Sequence, residues 1–282
     1  MLNNIHERVG KDFALQILKL YEERDLFVNP QNEQYQELKE KLLKQDQLTF
    51  LLLRDFVWAT RGSKHTDLLL LNSDTTSSFF SQNGNHPIAE TSLAKNENYI
   101  KIGSFYDIHM VEVFEKIENI LHYKKNITLD LRDNLGGRIE NCLKLFAYFM
   151  PNTSNFLTLR YKKKVVYSNV ESIGNHNQAN VEIFINSNTA SCAEIFAFGL
   201  KHFCSSGTKL SGSNPACKDF GQDILTFDEL GVRMSIVSFM WEVDGYSIYD
   251  LVRKYDISPL PGGKDTICSM QPTASQQGCI QL

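Results

Sequence analysis

The sequence runs to 282 residues, 42% hydrophobic and 22% charged, which is enough chain and apolar content to bury a full core in one or two domains. A formal net charge of −4 and a pI near 6.0 leave no basic excess to neutralise phosphates, so general nucleic-acid binding is not expected. Six cysteines, Cys142, Cys192, Cys204, Cys217, Cys268 and Cys279, form no CxxC pair and fit reduced thiols, with pairing left open.

The first stretch, MLNNIHERVGKDFALQILKLYEERDLF, carries acidic residues throughout and no continuous apolar core. Neither an export signal nor membrane insertion is expected, and the chain reads as cytoplasmic unless a leader has been removed. Residues 5–61 read as three helices. Val9, Phe13, Ile17, Leu18 and Tyr21 supply one stripe, Tyr35, Leu38, Leu42 and Leu43 a second, and residues 50–58 a third, with Pro30 dividing the first two. Residues 1–66 thus form a small helical N-terminal unit. A strand follows at 67–71, then a long Ser-, Asn- and Thr-rich loop over 72–98, a lid or a disordered segment.

From Tyr99 the pattern becomes α/β, and with the strand at 67–71 and the loop at 72–98 it is expected to make up one α/β core over residues 67–260. YIKIGSF reads as a strand, Asp107 as the cap of a helix presenting Ile108, Val111, Phe114, Ile117 and Leu121, and NITLDLR as a second strand. A strand, helix, strand unit of this length predicts parallel pairing. DNLGG is a glycine turn, and the helix RIENCLKLFAYFM stops at Pro151. Strands FLTLRY and KVVYS follow, with the intervening Lys162, Lys163 and Lys164 read as a solvated turn. The element at 181–204 then carries a buried strand through an Asn-Ser-Asn turn into a helix whose Ala190, Ala193, Phe196, Ala197 and Leu200 share one face. TKLSG, DILTF and RMSIVSFM are further strands, and a short helix spans 248–253. Residues 261–282 are Gly-, Ser- and Gln-rich and expected to be a flexible tail.

Ser191 opens the helix of the 181–204 element. A serine there is either an N-terminal cap or a nucleophile, because the unpaired N–H groups and positive dipole end favour an oxyanion. Phe196, Phe198 and Phe203 read as core, with a ligand pocket as the alternative.

YIKIGSF, DLRDNLGG at 130–137, TASCAEIF at 189–196 and GSNPACKDFGQ at 212–222 resemble, in order and spacing, four stretches of the C-terminal processing (tail-specific) serine peptidases, which are related to the tricorn core. The resemblance covers roughly residues 97–260 and implies an α/β fold, a ClpP/crotonase-like core of mixed, partly parallel sheet with flanking helices. It implies Ser191 as nucleophile, Lys218 as general base and Gln222 as the group that orients the amine. A lysine can take the serine's proton if burial keeps it neutral. Gly136 and Gly137 would let the backbone approach a substrate carbonyl, one of their N–H groups joining that of Cys192 as the oxyanion hole. DLRDNLGG alone also reads as a tight turn with Arg132 and Asp133 as an ion pair.

The chain departs from the family pattern in three ways. The step from Ser191 to Lys218 is slightly long. Cys217 stands where a glycine normally precedes the lysine, which leaves the local backbone angle open. RGSKHTD at 61–67 resembles a tricorn-like stretch that carries a histidine, so His65 is an alternative base. The peptide-gripping PDZ domain of many relatives is not expected, since only 72–98 is free to hold it. The implied activity is a serine endopeptidase acting on peptides or unstructured protein tails, or in a narrower form a maturation peptidase for one precursor peptide. The alternative is a non-catalytic protein binding apolar ligands or peptides on the same fold. No cofactor and no metal are called for, the partner is a peptide or protein substrate, and a homo-oligomer is left open.

Overall fold

A computed structural model describes residues 6–71, 98–106, 110–123, 126–173 and 180–260. The loop expected at 72–98, apart from Asn98, the expected cap Asp107, Ile108, the tail 261–282 and Cys268 and Cys279 lie outside the described residues. Helices α1 (Lys11–Arg24), α2 (Glu33–Leu43) and α3 (Phe50–Thr60) precede strand β1 (Asp67–Leu70). Asn32 and Thr49 cap α2 and α3, each side-chain oxygen accepting a first-turn N–H. Ile17, Leu18, Tyr21, Phe50, Leu53 and Val57 are fully buried, and they share their core with Leu68 of β1 and with Val232, Met234 and Ile236 further along the chain.

The remaining elements are β2 (Tyr99–Lys101), α4 (Met110–Tyr123), β3 (Asn126–Asp130), α5 (Ile139–Phe146), β4 (Thr153–Tyr161), β5 (Val165–Val170), β6 (Asn180–Ile185), α6 (Cys192–Phe203), β7 (Thr208–Gly212), β8 (Phe220–Phe227), β9 (Val232–Val243) and α7 (Ile248–Lys254). Strands β2-β3-β6-β7 form an all-parallel sheet, as the strand-helix-strand spacing predicts. The other sheet is antiparallel, in the order β1-β9-β4-β5, with β8 on the opposite side of β9.

Between Ser235 and Phe239, strand β9 has lost β1 and not yet met β4. That gap is closed from the N-terminal helices: Leu26 N–H donates to Val237 O (2.9 Å), and Val237 N–H donates to Thr66 Oγ1 (3.1 Å). Both backbone groups of Val237 are thereby paired, as a buried strand requires.

Two expectations need correction. Val111 is not on the buried face of α4: it is 62% exposed, and Met110, Val113, Phe114, Ile117 and Ile120 are the buried positions. The packed face expected on α6 is buried, and the burial goes further, to every residue from Cys192 to Leu200, with Phe196 packed among Phe105, Phe146 and Phe149. The 162–164 turn is exposed, as expected, but Lys162 also does structural work. Its ammonium donates to the carbonyls of Glu22 (3.0 Å), Asp25 (3.1 Å) and Val28 (2.9 Å), capping the C-terminal end of α1 and bolting the β4–β5 hairpin onto it. Helix α5 also ends earlier than expected, at Phe146, with turns carrying the chain to Pro151.

Candidate active site

Strands β3 and β6 lie side by side and parallel, so the segments leaving their C-terminal ends emerge at the same edge, where open α/β sheets place ligands. The first segment is the glycine loop. Asp130 at its root is fully buried; Arg132 grips it through Nε (2.9 Å) and Nη2 (2.6 Å), and Tyr99 Oη donates to it (2.5 Å). Burial opposes the charge, but the Arg132 and Tyr99 hydrogen bonds outweigh it and hold the carboxyl below its usual range. The expected Arg132–Asp133 pair is therefore not formed. Asp133 instead accepts from the side chains of Asn186 and Asn188, both at 2.9 Å, and so stitches the glycine loop to the turn after β6.

That turn is tied on its other flank too. Thr189 Oγ1 donates to Leu131 O (2.9 Å), Ala190 N–H to Asn134 O (2.9 Å), and Ala216 N–H to Thr189 O (2.9 Å). The three segments around residues 134, 190 and 216 are thereby laced together before any catalytic group is considered.

Ser191 sits at the start of α6 with φ 57° and ψ −123°, outside the extended conformation that an ordinary cap adopts. A non-glycine residue held there signals strain kept for a purpose, and a strained serine on a strand-to-helix turn is how a nucleophile is thrust out of a sheet. Gly136 (φ 101°) lies directly against it: a Cβ on Gly136 would stand 2.8 Å from Ser191 Cβ. Gly137 (φ 146°) has no more room, a Cβ there falling 2.5 Å from Phe105 C and Tyr106 N. The two glycines are thus required by close approach as well as by dihedral. Gly136 N–H is taken by Asn134 Oδ1 at 2.8 Å, whereas no such partner is found for Gly137 N–H among the described residues. Cys192 N–H belongs to the first turn of α6, where donors lack intrahelical acceptors.

Lys218 is reached from the same turn. Glu194, in the first turn of α6 and fully buried, accepts Ser191 N–H on Oε2 (2.6 Å), Cys217 N–H on Oε1 (2.6 Å) and Lys218 N–H on both oxygens (3.1 and 3.3 Å). One carboxyl oxygen therefore binds the main chain of both Ser191 and Lys218. Burial pushes the Glu194 carboxyl up to about 8, while the three backbone donors favour its ionised form. Cys217 adopts φ 55°, the left-handed conformation that a glycine takes most easily, so the residue type departs from the family pattern while the backbone angle is one glycine favours.

The Lys218 amine is 3.1 Å from Gln222 Oε1 and lies over the Phe220 ring. Burial pulls its pKa down, with Glu194 acting in the opposite direction. Gln222 in turn donates from Nε2 to the main-chain carbonyl of His65 at 2.6 Å. The His65 ring packs on Phe220 at 5.1 Å, its buried Nδ1 has no partner among the described residues, and burial followed by the Lys218 charge pushes it down to about 4. Ser191, Cys192, Gly137, Lys218, Gln222 and His65 all line one groove of about 2020 Å³, which Trp58 and Tyr106 also border. Phe196 and Phe198 are core, as expected.

Glu194, Asn134, Asn186 and Asn188 are the site residues that sequence reasoning passed over. A signal for Glu194 was present: Ser191 and Glu194 have the serine-to-glutamate spacing of a capping box, which reads as helix initiation and conceals the bonds to residues 217 and 218.

The sequence pattern of peptidase family S41 matches residues 98–249, more than half of the chain. A Staphylococcus aureus protein named "Probable CtpA-like serine protease" is 26% identical over 137 residues, 48% of this chain and 27% of that protein. The chain thus spans about a quarter of that curated relative's length. Among solved structures, a lipoprotein from Streptococcus agalactiae superposes with a TM-score of 0.60 at 21% identity, covering 87% of this chain and 91% of the other. A candidate peptidase from Parabacteroides merdae gives 0.51 at 13% identity, covering 86% and 87%. Both structural likenesses concern the fold.

Proposed function

We propose that this chain, which belongs to peptidase family S41, is a serine peptidase that cleaves peptides or unstructured protein tails through an acyl-enzyme on Ser191, with Lys218 as general base. The observation that carries this reading is the shared Glu194 oxygen, which holds the Ser191 and Lys218 backbones against one another beside Gly136.

In the first step Ser191 Oγ attacks the scissile carbonyl carbon while its proton passes to the neutral Lys218 Nζ. The oxyanion forms against the N–H groups of Gly137 and Cys192, each such donor contributing about 2.7–4 kcal/mol in comparable sites. Gly137 is preferred to Gly136 as donor because Asn134 already occupies the Gly136 N–H. Collapse expels the amine, which takes the proton back from the Lys218 ammonium and leaves the acyl-enzyme. Water then attacks the ester, Lys218 again accepting the proton, and Ser191 leaves as the hydroxyl. Throughout, Gln222 Oε1 keeps the amine in place.

Lys218 is preferred to His65 as the base on two grounds. Gln222 engages His65 through its main chain, and a ring pushed down to about 4 is a feeble proton acceptor at neutral pH. A dedicated precursor-maturation role is a narrower form of the same proposal.

Digestion of a diverse peptide library, read by mass spectrometry, tests it. Wild type and His65→Ala cleave, Ser191→Ala does not, and Lys218→Ala cleaves at least about 10²-fold more slowly. Loss in His65→Ala with retention in Lys218→Ala would move the base to His65, and an inert wild type would favour the non-catalytic binding reading.

A further inference from the structure

We infer that Asp25 and Thr66 of the N-terminal segment are positioning residues for the Lys218 amine, so that the helices preceding the parallel sheet are a working part of the site as well as a flank to it. This rests on the reading of Lys218 as the base.

The connection is a continuous run of hydrogen bonds. Lys218 Nζ reaches Gln222 Oε1 (3.1 Å), and Gln222 Nε2 reaches His65 O (2.6 Å), which also accepts from Ser235 Oγ (3.0 Å). The next residue, Thr66, is fully buried and donates its hydroxyl to Asp25 Oδ2 (2.5 Å) while accepting Val237 N–H (3.1 Å). Val237 lies opposite Gln222 in the β8–β9 pairing, at the bulge between Gly221 and Gln222. Thr66 therefore fixes Gln222 from both directions, through the preceding carbonyl of His65 and through the partner strand.

Asp25 is fixed as firmly. It too is fully buried, and its Oδ1 accepts the N–H groups of Phe27 (2.9 Å) and Val28 (3.1 Å), while Lys162 holds its carbonyl. Two features go beyond what packing requires. A buried carboxylate is an expensive way to hold a turn when an amide or hydroxyl would serve. And the hydroxyl it orients fills the gap between β1 and β4 along one edge of β9, across the strand from the residue whose side chain holds the amine. With Thr66 loosened, the His65 carbonyl and Gln222 separate, water reaches Nζ, and the amine returns toward an ordinary lysine. Of the charged or titratable groups that act on Nζ, Glu194 and Cys192, which attract it, make no hydrogen bond to Thr66, whereas His65, which repels Nζ when protonated, is its chain neighbour and moves with it.

The test compares Thr66→Val, which keeps the shape and removes both bonds, with Thr66→Ser, which restores them. Full-length protein carrying 13C-labelled lysine is titrated by NMR, the Lys218 signal being assigned from its loss in Lys218→Met. The amine in Thr66→Val is expected to titrate about one unit higher than in wild type, a tenfold change in ionisation, with Thr66→Ser matching wild type. Peptide hydrolysis is expected to fall about tenfold or more in kcat with KM nearly constant, recovering in Thr66→Ser. Identical Lys218 titrations in all three proteins, with only a lowered melting temperature in Thr66→Val, would overturn the inference. An inert wild type whose Lys218 titration still follows residue 66 would refute the peptidase reading and leave the coupling standing.

Discussion

Substituting Gly136 by alanine tests the packing argument where it is sharpest. The new Cβ would meet Ser191 Cβ at 2.8 Å, Ala190 O at 3.0 Å and Cys192 N at 3.1 Å. Carbon atoms rest about 3.5–4.0 Å apart, so Ser191 Cβ must yield by roughly 0.7 Å. The surroundings resist this, because Ala190 N–H is held by Asn134 O, Ser191 N–H by Glu194 and Gly136 N–H by the Asn134 side chain. Overpacking of this kind costs about 1–3 kcal/mol, and alanine at φ 101° adds roughly 1–2 kcal/mol. A displacement near 1 Å at the reacting atom lowers kcat by about 10²-fold. Urea unfolding followed by tryptophan fluorescence, together with kcat on a library-derived peptide, measures both. The control is Gly245→Ala, which shares a positive φ (76°) but meets nothing within 4 Å, and which is expected to lose only the backbone part of the stability and no activity. The reasoning fails if Gly136→Ala is no less stable than Gly245→Ala and hydrolyses peptide at the wild-type rate.

Lys218→Met is expected to lower kcat by about 10²–10⁴-fold and to change how stability depends on pH. The wild-type amine has a folded pKa below its ordinary 10.5, so the unfolded chain binds more protons and stability rises with pH up to that value; urea midpoints across pH should lose this rise in the variant. Glu194 has the opposite sign. Its carboxyl moves from 4.5 to about 8 on folding, so wild-type stability falls as pH rises through that window, and Glu194→Gln should flatten the fall. The same variant strands either Ser191 or Cys217 N–H without an acceptor, a loss of about 1–3 kcal/mol visible in the same midpoints. Cys217→Gly relieves a left-handed φ of 55° and should leave stability within about 1 kcal/mol and activity intact, whereas Cys217→Val should be destabilised by calorimetry and slowed in hydrolysis.

The α/β core was legible because its signals are local. The apolar runs at 126–130 and 180–185 are bounded by turn residues, the helix between β2 and β3 has the length of a crossover, and Gly136 and Gly137 mark a backbone that no side chain could follow. The failures are all long-range. Lys162 stands in an exposed run of three lysines, and nothing local shows that its ammonium also meets carbonyls some 134–140 positions away. Strand β8 begins at Phe220 in a Phe-Gly-Gln-Asp run with little strand propensity, and it forms because β9 offers a full partner edge. Val111 fits a helical stripe almost as well as Val113, and only the direction of the sheet decides between them. In the site, Ser191, Lys218 and Gln222 stood out by motif. Glu194 did not, since an acid three residues after a serine already has an ordinary explanation.

The central claim is that an amine made neutral by burial activates the hydroxyl of Ser191, and acetylation by p-nitrophenyl acetate reads this directly. Intact mass spectrometry with peptide mapping, repeated across pH, should find a single acetyl group on Ser191 in wild type, formed faster as pH rises through the lowered Lys218 pKa, and almost none in Lys218→Met. Acetylation of Ser191 at the same rate and with the same pH dependence in Lys218→Met would contradict the account.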